Sequence, residues 1–258
     1  MKYLLLLTTA SLAAGLTLAA AAHSSASCRK WQNLCIPKKY QPVFSRDFSS
    51  GHPAPNGLAR FVQQFPGMDV STVPSAIFDF SEKEMAAAIP GYIEHRGYLY
   101  FTKTVTIKPA ALAREERVNR WDRVLYNLRD NDSFGPDFTH AVVEKLPDLP
   151  YYKVNPMFSG THDTETVWYM VKVDLRDKLK RPPIKPPTWY IGSCTGNSDP
   201  KLGSDFSCIR MLADPKFPYY IQYNIEQPNA HLIPEIDAFI ESKIRSWEIE
   251  PTVSKSSQ

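Results

Sequence analysis

Glycine is scarce in this chain, at 11 of 258 residues, and no glycine-rich phosphate loop occurs anywhere in it. Nucleotide-cradling turns need such loops, so nothing in the sequence specifies a nucleotide cofactor. An excess of charge of one sign is missing too: 30 basic residues face 27 acidic ones, a formal net charge of +3. Nucleic-acid binding normally shows as a strong basic excess or stripe, and that class is set aside. There is no H-E-x-x-H pair and no C-x-x-C cluster, so the usual zinc patterns are absent. No repeat period, no low-complexity block and no second long hydrophobic run follow residue 22.

That first apolar run is the most informative segment present. Met1-Lys2 places one positive charge before a greasy stretch from Tyr3 to Ala22, and Ala20-Ala21-Ala22 supplies small residues ahead of His23. A basic start, an apolar middle and an A-x-A end predict a secretory signal peptide over 1–22, cleaved before His23. The competing readings are a retained membrane anchor, since about 20 apolar residues span a bilayer, and lipidation at Cys28. Bacterial lipoproteins carry a leucine-like residue where this chain has Ser25, which argues against the latter.

Export makes the four cysteines interpretable. In an oxidising compartment an even set is expected to pair, and proximity favours Cys28–Cys35 and Cys194–Cys208. Loops that short would contribute roughly 2.5 and 3 kcal/mol in the chain-entropy model.

Hydrophobic residues make up 43% of the chain, with 13 Tyr, 13 Phe and 5 Trp, enough to bury a substantial core. Residues 23–57, rich in proline towards their end, read as an extended arm lying on a domain at 58–258; if that domain divides, 145–165 is the junction. Within it, Leu58, Phe61, Val62 and Phe65 predict two helical turns stopped by Pro66-Gly67. Ala76–Phe80 reads as a strand, and Ser81 with Glu84 as a capping box opening a helix through Ile89. Tyr92–Ile107 reads as a hairpin turning near Arg96-Gly97. After Pro109, Leu112, Val118, Trp121, Val124, Leu125 and Leu128 form the stripe of a longer helix.

Further on, Val167, Tyr169, Val171, Val173 and Leu175 alternate with Trp168, Met170, Lys172 and Asp174, as in a half-buried strand. Residues 178–187 form a basic, proline-studded connector. Thr188–Ile191, Ser207–Leu212 and Tyr219–Ile225 read as strands. Pro234 opens a helix whose stripe is Ile236, Phe239, Ile240, Ile244 and Trp247, with Glu235, Asp237, Glu241 and Lys243 off it; residues 252–258 should fray. Strands grouped with strands, without a βαβ rhythm, predict an α+β fold: an antiparallel sheet flanked by a few helices, the C-terminal one long.

One segment fits a catalytic pattern. Gly192-Ser193-Cys194-Thr195-Gly196 matches G-x-C-x-G, the cysteine form of a nucleophile elbow. The elbow needs a helix directly afterwards, but Asn197–Gly203 is loop chemistry. Ser159, His162 and Asp163 are a hydrolase's residue types, yet triads assemble from distant segments. His95, His140 and His231 stand alone. Asp130–Gly135 begins like a calcium loop, but Phe134 takes a ligand position and Ala141 sits where the bidentate glutamate belongs. The expectation is therefore no catalytic residue, no metal and no cofactor, in a binding protein. The alternatives are an exported esterase-like hydrolase using G-x-C-x-G, or an envelope solute-binding protein.

Trp189-Tyr190-Ile191-Gly192-Ser193-Cys194, then Cys208-Ile209-Arg210, Tyr220–Asn224, and Ile233–Asp237 running to Trp247 carry a more specific signal. Their order resembles the closing strand–strand–helix segment of periplasmic immunity proteins of the type VI secretion system that neutralise phospholipase effectors. The resemblance implies a periplasmic inhibitor that blocks a cognate lipase by direct binding, without catalytic residues. Tight inhibition needs aromatic or arginine anchors in exposed loops. The candidates are Phe134, Phe138, Tyr151, Tyr152, Phe158, His162, Arg176, Lys180 and Arg181.

Overall fold

The computed structural model describes residues 27–44, 75–94, 102–109, 125–130, 134–156, 167–184, 188–196, 206–214 and 216–249. They form an α+β fold around a nine-stranded, wholly antiparallel sheet. A small hairpin, β1 (Cys28–Trp31) and β2 (Leu34–Pro37), stands beside it. The large sheet comprises β3 (Val43–Phe44), β4 (Ala76–Ser81), β5 (Thr102–Pro109), β6 (Ala141–Lys145), β7 (Tyr152–Pro156), β8 (Trp168–Val171), β9 (Tyr190–Gly196), β10 (Phe206–Leu212) and β11 (Tyr219–Glu226). Their spatial order is β3-β4-β5-β11-β10-β9-β8-β7-β6. From β6 to β11 each strand pairs with its neighbour in sequence; β11 then inserts against β5 instead of ending the sheet at an edge.

Both faces of the sheet are covered. On one, Tyr219, Ile221, Tyr223 and Ile225 of β11 alternate inward, as a pleated strand requires. They join Phe78 and Phe80 of β4 and the C-terminal helix α2 (Ile233–Ser246). Ile233, Ile236, Ile240 and Ile244 are its buried stripe, matching the predicted periodicity. Trp247 closes the stripe against Tyr40 and Phe78, both with ring centroids 5.0 Å away. On the other face, Leu125 and Leu128 from helical residues 125–130 pack with Phe134, Phe138, Val154, Trp189 and Met211.

Two-sided burial corrects the half-buried strand expected at 167–175. Trp168 and Met170 enter the first core, whereas Val171 and part of Tyr169 enter the second; Val167 is exposed. The strand ends at Val171, and Leu175 lies in a turn. The expected Tyr92–Ile107 hairpin also changes: β5 pairs with β4 and β11, and residues 92–94 are not in a strand. A third correction is β9, which runs on to Gly196, so the G-x-C-x-G segment is strand. The expected helix at 58–65, residues 110–124 of the longer helix, the leader at 1–22 and the tail at 252–258 lie outside the described residues.

Local capping follows the sequence closely at α1 (Glu82–Ala88). Ser81 Oγ accepts from the Glu84 N–H at 3.1 Å. The Glu84 carboxylate does not fold back to complete the box; it accepts from Tyr40 Oη at 2.8 Å and from Lys243 Nζ at 2.7 Å. One capping residue thus ties α1 to both the N-terminal segment and α2. The β1–β2 hairpin is held to the chain's other end: the Cys35 N–H donates to the Trp247 carbonyl at 2.8 Å, and the Ile249 N–H to the Asn33 carbonyl at 2.7 Å.

Candidate binding surface

Both cysteine pairings expected from proximity are present, Cys28 with Cys35 and Cys194 with Cys208. Such bonds fit an oxidising, extracytoplasmic compartment. Cys194 and Cys208 are register partners on β9 and β10, with Cα atoms 3.9 Å apart and both side chains buried in the first core. The thiolate that a nucleophile elbow requires is therefore tied up inside a sheet ladder.

Two residues before Cys194 the ladder breaks. Met170 faces Gly192 and Val171 faces Tyr190, so Ile191 is an extra residue in β9, a bulge. The bulge turns the carbonyls of Tyr190 and Ile191 towards one group, the guanidinium of Arg210. Its Nη1 donates to them at 3.2 and 3.0 Å and to the Met211 carbonyl at 2.6 Å. Nη2 donates to Asp237 of α2 at 2.8 Å, and Asp237 also accepts from Tyr223 Oη at 2.7 Å. Burial works against the charge on Arg210, but Asp237 together with the Tyr223 and Tyr151 hydroxyls outweighs it and pushes the pKa up. Burial, then Asp237, push the Tyr223 hydroxyl well above its ordinary value. Gly192 faces Arg210 across the strands, and a Cβ there would collide with the Ile209 carbonyl. Only glycine admits this close approach. The group is a buried structural clamp.

The described residues among the sequence-derived contacts lie in or beside β6 to β8, towards the end of the sheet order away from β3. Phe134 and Phe138 are stacked at 5.8 Å, and both are buried in the second core. Tyr151 is buried in the first. These three are corrected from exposed anchors to core residues: each fills space between the sheet and its covering segments. Tyr152 is half-buried, with Lys145 Nζ 5.0 Å from its ring centroid. Phe158 and His162 lie outside the described residues.

Arg176, Lys180 and Arg181 belong to the segment 172–181, which is held by its own side chains and by Asp137. Asp177 caps a 3-10 turn (Lys178–Lys180), its Oδ1 accepting from the Leu179 N–H at 3.1 Å. Its other oxygen holds Lys180 at 2.9 Å. Asp174 grips Arg176 through two contacts, 2.9 and 2.7 Å. That hydrogen bonding outweighs partial burial and holds the Asp174 carboxyl below the usual range. Lys178 reaches Asp137 at 2.5 Å. Arg181 donates to the Leu175 carbonyl at 2.9 Å and lies 5.8 Å from the Phe138 ring centroid. The buried phenylalanines thus underpin that segment instead of contacting a partner.

Within that segment Leu179 is 98% exposed. Sequence reasoning passed over it because it is one apolar residue in a basic connector. A signal was available: Asp177 two residues earlier is a turn cap, and it fixes Leu179 outside any core stripe.

No family model matches the chain, and comparison with curated proteins and with solved structures finds no match. Among the described residues no group of His, Cys, Asp or Glu could hold a metal ion, and no helix is long and apolar enough to cross a membrane.

Proposed function

We propose that this protein is an exported periplasmic inhibitor, an immunity protein that blocks a cognate secreted lipase or phospholipase by direct binding. The observation that carries the reading is the basic segment at residues 172–181, ordered by ion pairs to Asp174, Asp177 and Asp137 beside a disulfide-bonded sheet. Binding proteins gain affinity when contact groups are already ordered, because little conformational freedom is lost on association. The resemblance of residues 189–247 to immunity proteins supplies the class of target. The esterase-like alternative loses its nucleophile, since Cys194 is bonded to Cys208.

The test is expression of secreted lipases from the native host in the periplasm, beginning with any encoded by adjacent genes, with and without this protein. Rescue of growth and a 1:1 complex on size exclusion are expected, with a dissociation constant near 1 nM or below, about −12 kcal/mol. Equal killing in both cases with no complex, or turnover of generic esters by the pure protein, refutes the reading.

A further inference from the structure

The two disulfides sit in opposite settings. Cys194 and Cys208 are 0% and 2% exposed inside the first core, out of a reductant's reach. Cys28 and Cys35 are only half-buried. The register of β1 and β2 sets Cys28 opposite Pro37 and Lys30 opposite Cys35. Residues opposite each other in an antiparallel pair share a face, as do alternate residues of one strand. Cys28, Lys30, Cys35 and Pro37 therefore stand on one face of the hairpin. Trp31, Leu34 and Ile36 stand on the other and are buried in the first core, so the disulfide shares the outer face with the exposed Lys30. Residues 27–44 carry four cations and no carboxylate. Glu248 pairs opposite Leu34, and so belongs to the Leu34 side of the pleat and not to the side of Cys35.

This bond closes the element that grips the end of α2. The Cys35 N–H donates to the Trp247 carbonyl, Leu34 bridges to Glu248, and the Ile249 N–H donates to the Asn33 carbonyl. Two strands of four residues make a marginal hairpin by themselves, so the grip depends on the cross-link.

We propose that Cys28–Cys35 is a redox-released latch. A dithiol, such as the C-x-x-C pair of an oxidoreductase, opens it while Cys194–Cys208 stays closed, and residues 247–249 are then let go. The reductant's thiolate attacks the Cys28 sulfur, and the S–S bond breaks with its electron pair leaving on Cys35. Lys30, opposite Cys35, favours that departing thiolate, and a better leaving thiolate leaves faster. The reductant's second thiol then displaces Cys28. Two electrons and two protons pass to the chain, and the reductant departs as a disulfide. The latch is independent of what the protein binds.

The experiment treats the purified, disulfide-bonded protein with graded dithiothreitol, traps thiols with iodoacetamide and maps them by peptide mass spectrometry. Cys28 and Cys35 are expected to be labelled at concentrations that leave Cys194–Cys208 linked and the circular dichroism unchanged. Opening of Cys194–Cys208 first, or of both bonds together with loss of structure, overturns the latch. Lys30→Gln should slow opening by about twofold or more, whereas Lys83→Gln, at an exposed position on α1, should not. An unchanged rate in the Lys30 variant, or equal slowing in both, refutes the role of Lys30. Release is read by amide hydrogen exchange in a Cys28→Ser, Cys35→Ser protein. Exchange at Cys35→Ser and at Ile249 should be on the order of tenfold faster than in the parent, with β10 and β11 still protected. A double variant that does not fold, or whose exchange at 35 and 249 matches the parent, overturns the proposal.

Discussion

Replacing Asp237 by Ala should be among the most damaging single changes available to this fold. The side chain does two jobs: it is the countercharge of Arg210, which is 3% exposed, and it accepts the Tyr223 hydroxyl. Its removal leaves a guanidinium inside the protein with carbonyl partners but no anion. Breaking one side of a buried ion pair costs about 3–5 kcal/mol. The lower figure applies, because Asp237 itself keeps 16% of its surface and water can enter beside it. The orphaned Tyr223 hydroxyl adds about 1 kcal/mol. A total near 4 kcal/mol should lower the melting temperature by about 8–16 °C in a domain of this size. Thermal and urea unfolding measure it. The pair Arg210→Met with Asp237→Leu should recover much of the loss, since a well-packed apolar pair removes both charges together. If Asp237→Ala costs under about 1 kcal/mol, or if the double variant is no better than the single, the clamp does not hold α2 to the sheet as argued.

Other outcomes follow from neighbouring features. Gly192→Ala should destabilise by about 3 kcal/mol or more, because its methyl group meets backbone that cannot swing aside; a melting temperature within a degree or two of the parent would contradict this. Replacing Cys194 and Cys208 together by Ser should cost about 3 kcal/mol, and alkylation of the folded parent should label no thiol before reduction. Asp79→Asn tests a carboxyl whose pKa is pushed up by burial despite a 2.7 Å hydrogen bond from Thr104. A raised folded-state pKa gives stability below the unfolded value that is lost as pH rises through the folded one. The Asn protein should therefore melt higher than the parent at pH 7, with the gap closing towards pH 4. A gap that widens on acidification has the wrong sign.

The parts legible in the sequence are those fixed by local rules. The α2 stripe, the Ser81 cap and the paired cysteines depend on spacing within a turn, a box or a short loop, and each stands as expected. The misread parts depend on distant chain. The strand expected to end at Ile191 before the G-x-C-x-G segment runs on to Gly196, because β8 and β10 pair with it from both sides. Phe134, Phe138 and Tyr151 looked like loop aromatics because nothing local announces the segments that cover them. Arg210 and Asp237 carried a signal that charge obscured. Arg210 shares strand parity with Phe206 and Cys208, and Asp237 lies four residues after Ile233 and three before Ile240. Each occupies a core position of its own element, which a reading by polarity alone assigns to solvent.

The place of β11 in the sheet has a consequence for how the chain matures. Among the described residues it is the last strand in sequence, yet it lies between β5 and β10, where it joins β3-β4-β5 to the run from β6 to β10. A chain delivered N-terminus first, from a ribosome or through a translocation channel, presents two partial sheets with facing edges unfilled until residues 219–226 arrive. The β1–β2 hairpin waits longer still, since its backbone partners are Trp247 and Ile249. Long-range pairing of this kind makes folding slow, and the order of events keeps the chain threadable until nearly all of it has emerged. Premature termination before residue 219 would leave β5 and β10 as open edges, in addition to β3 and β6, a form prone to pair with another copy.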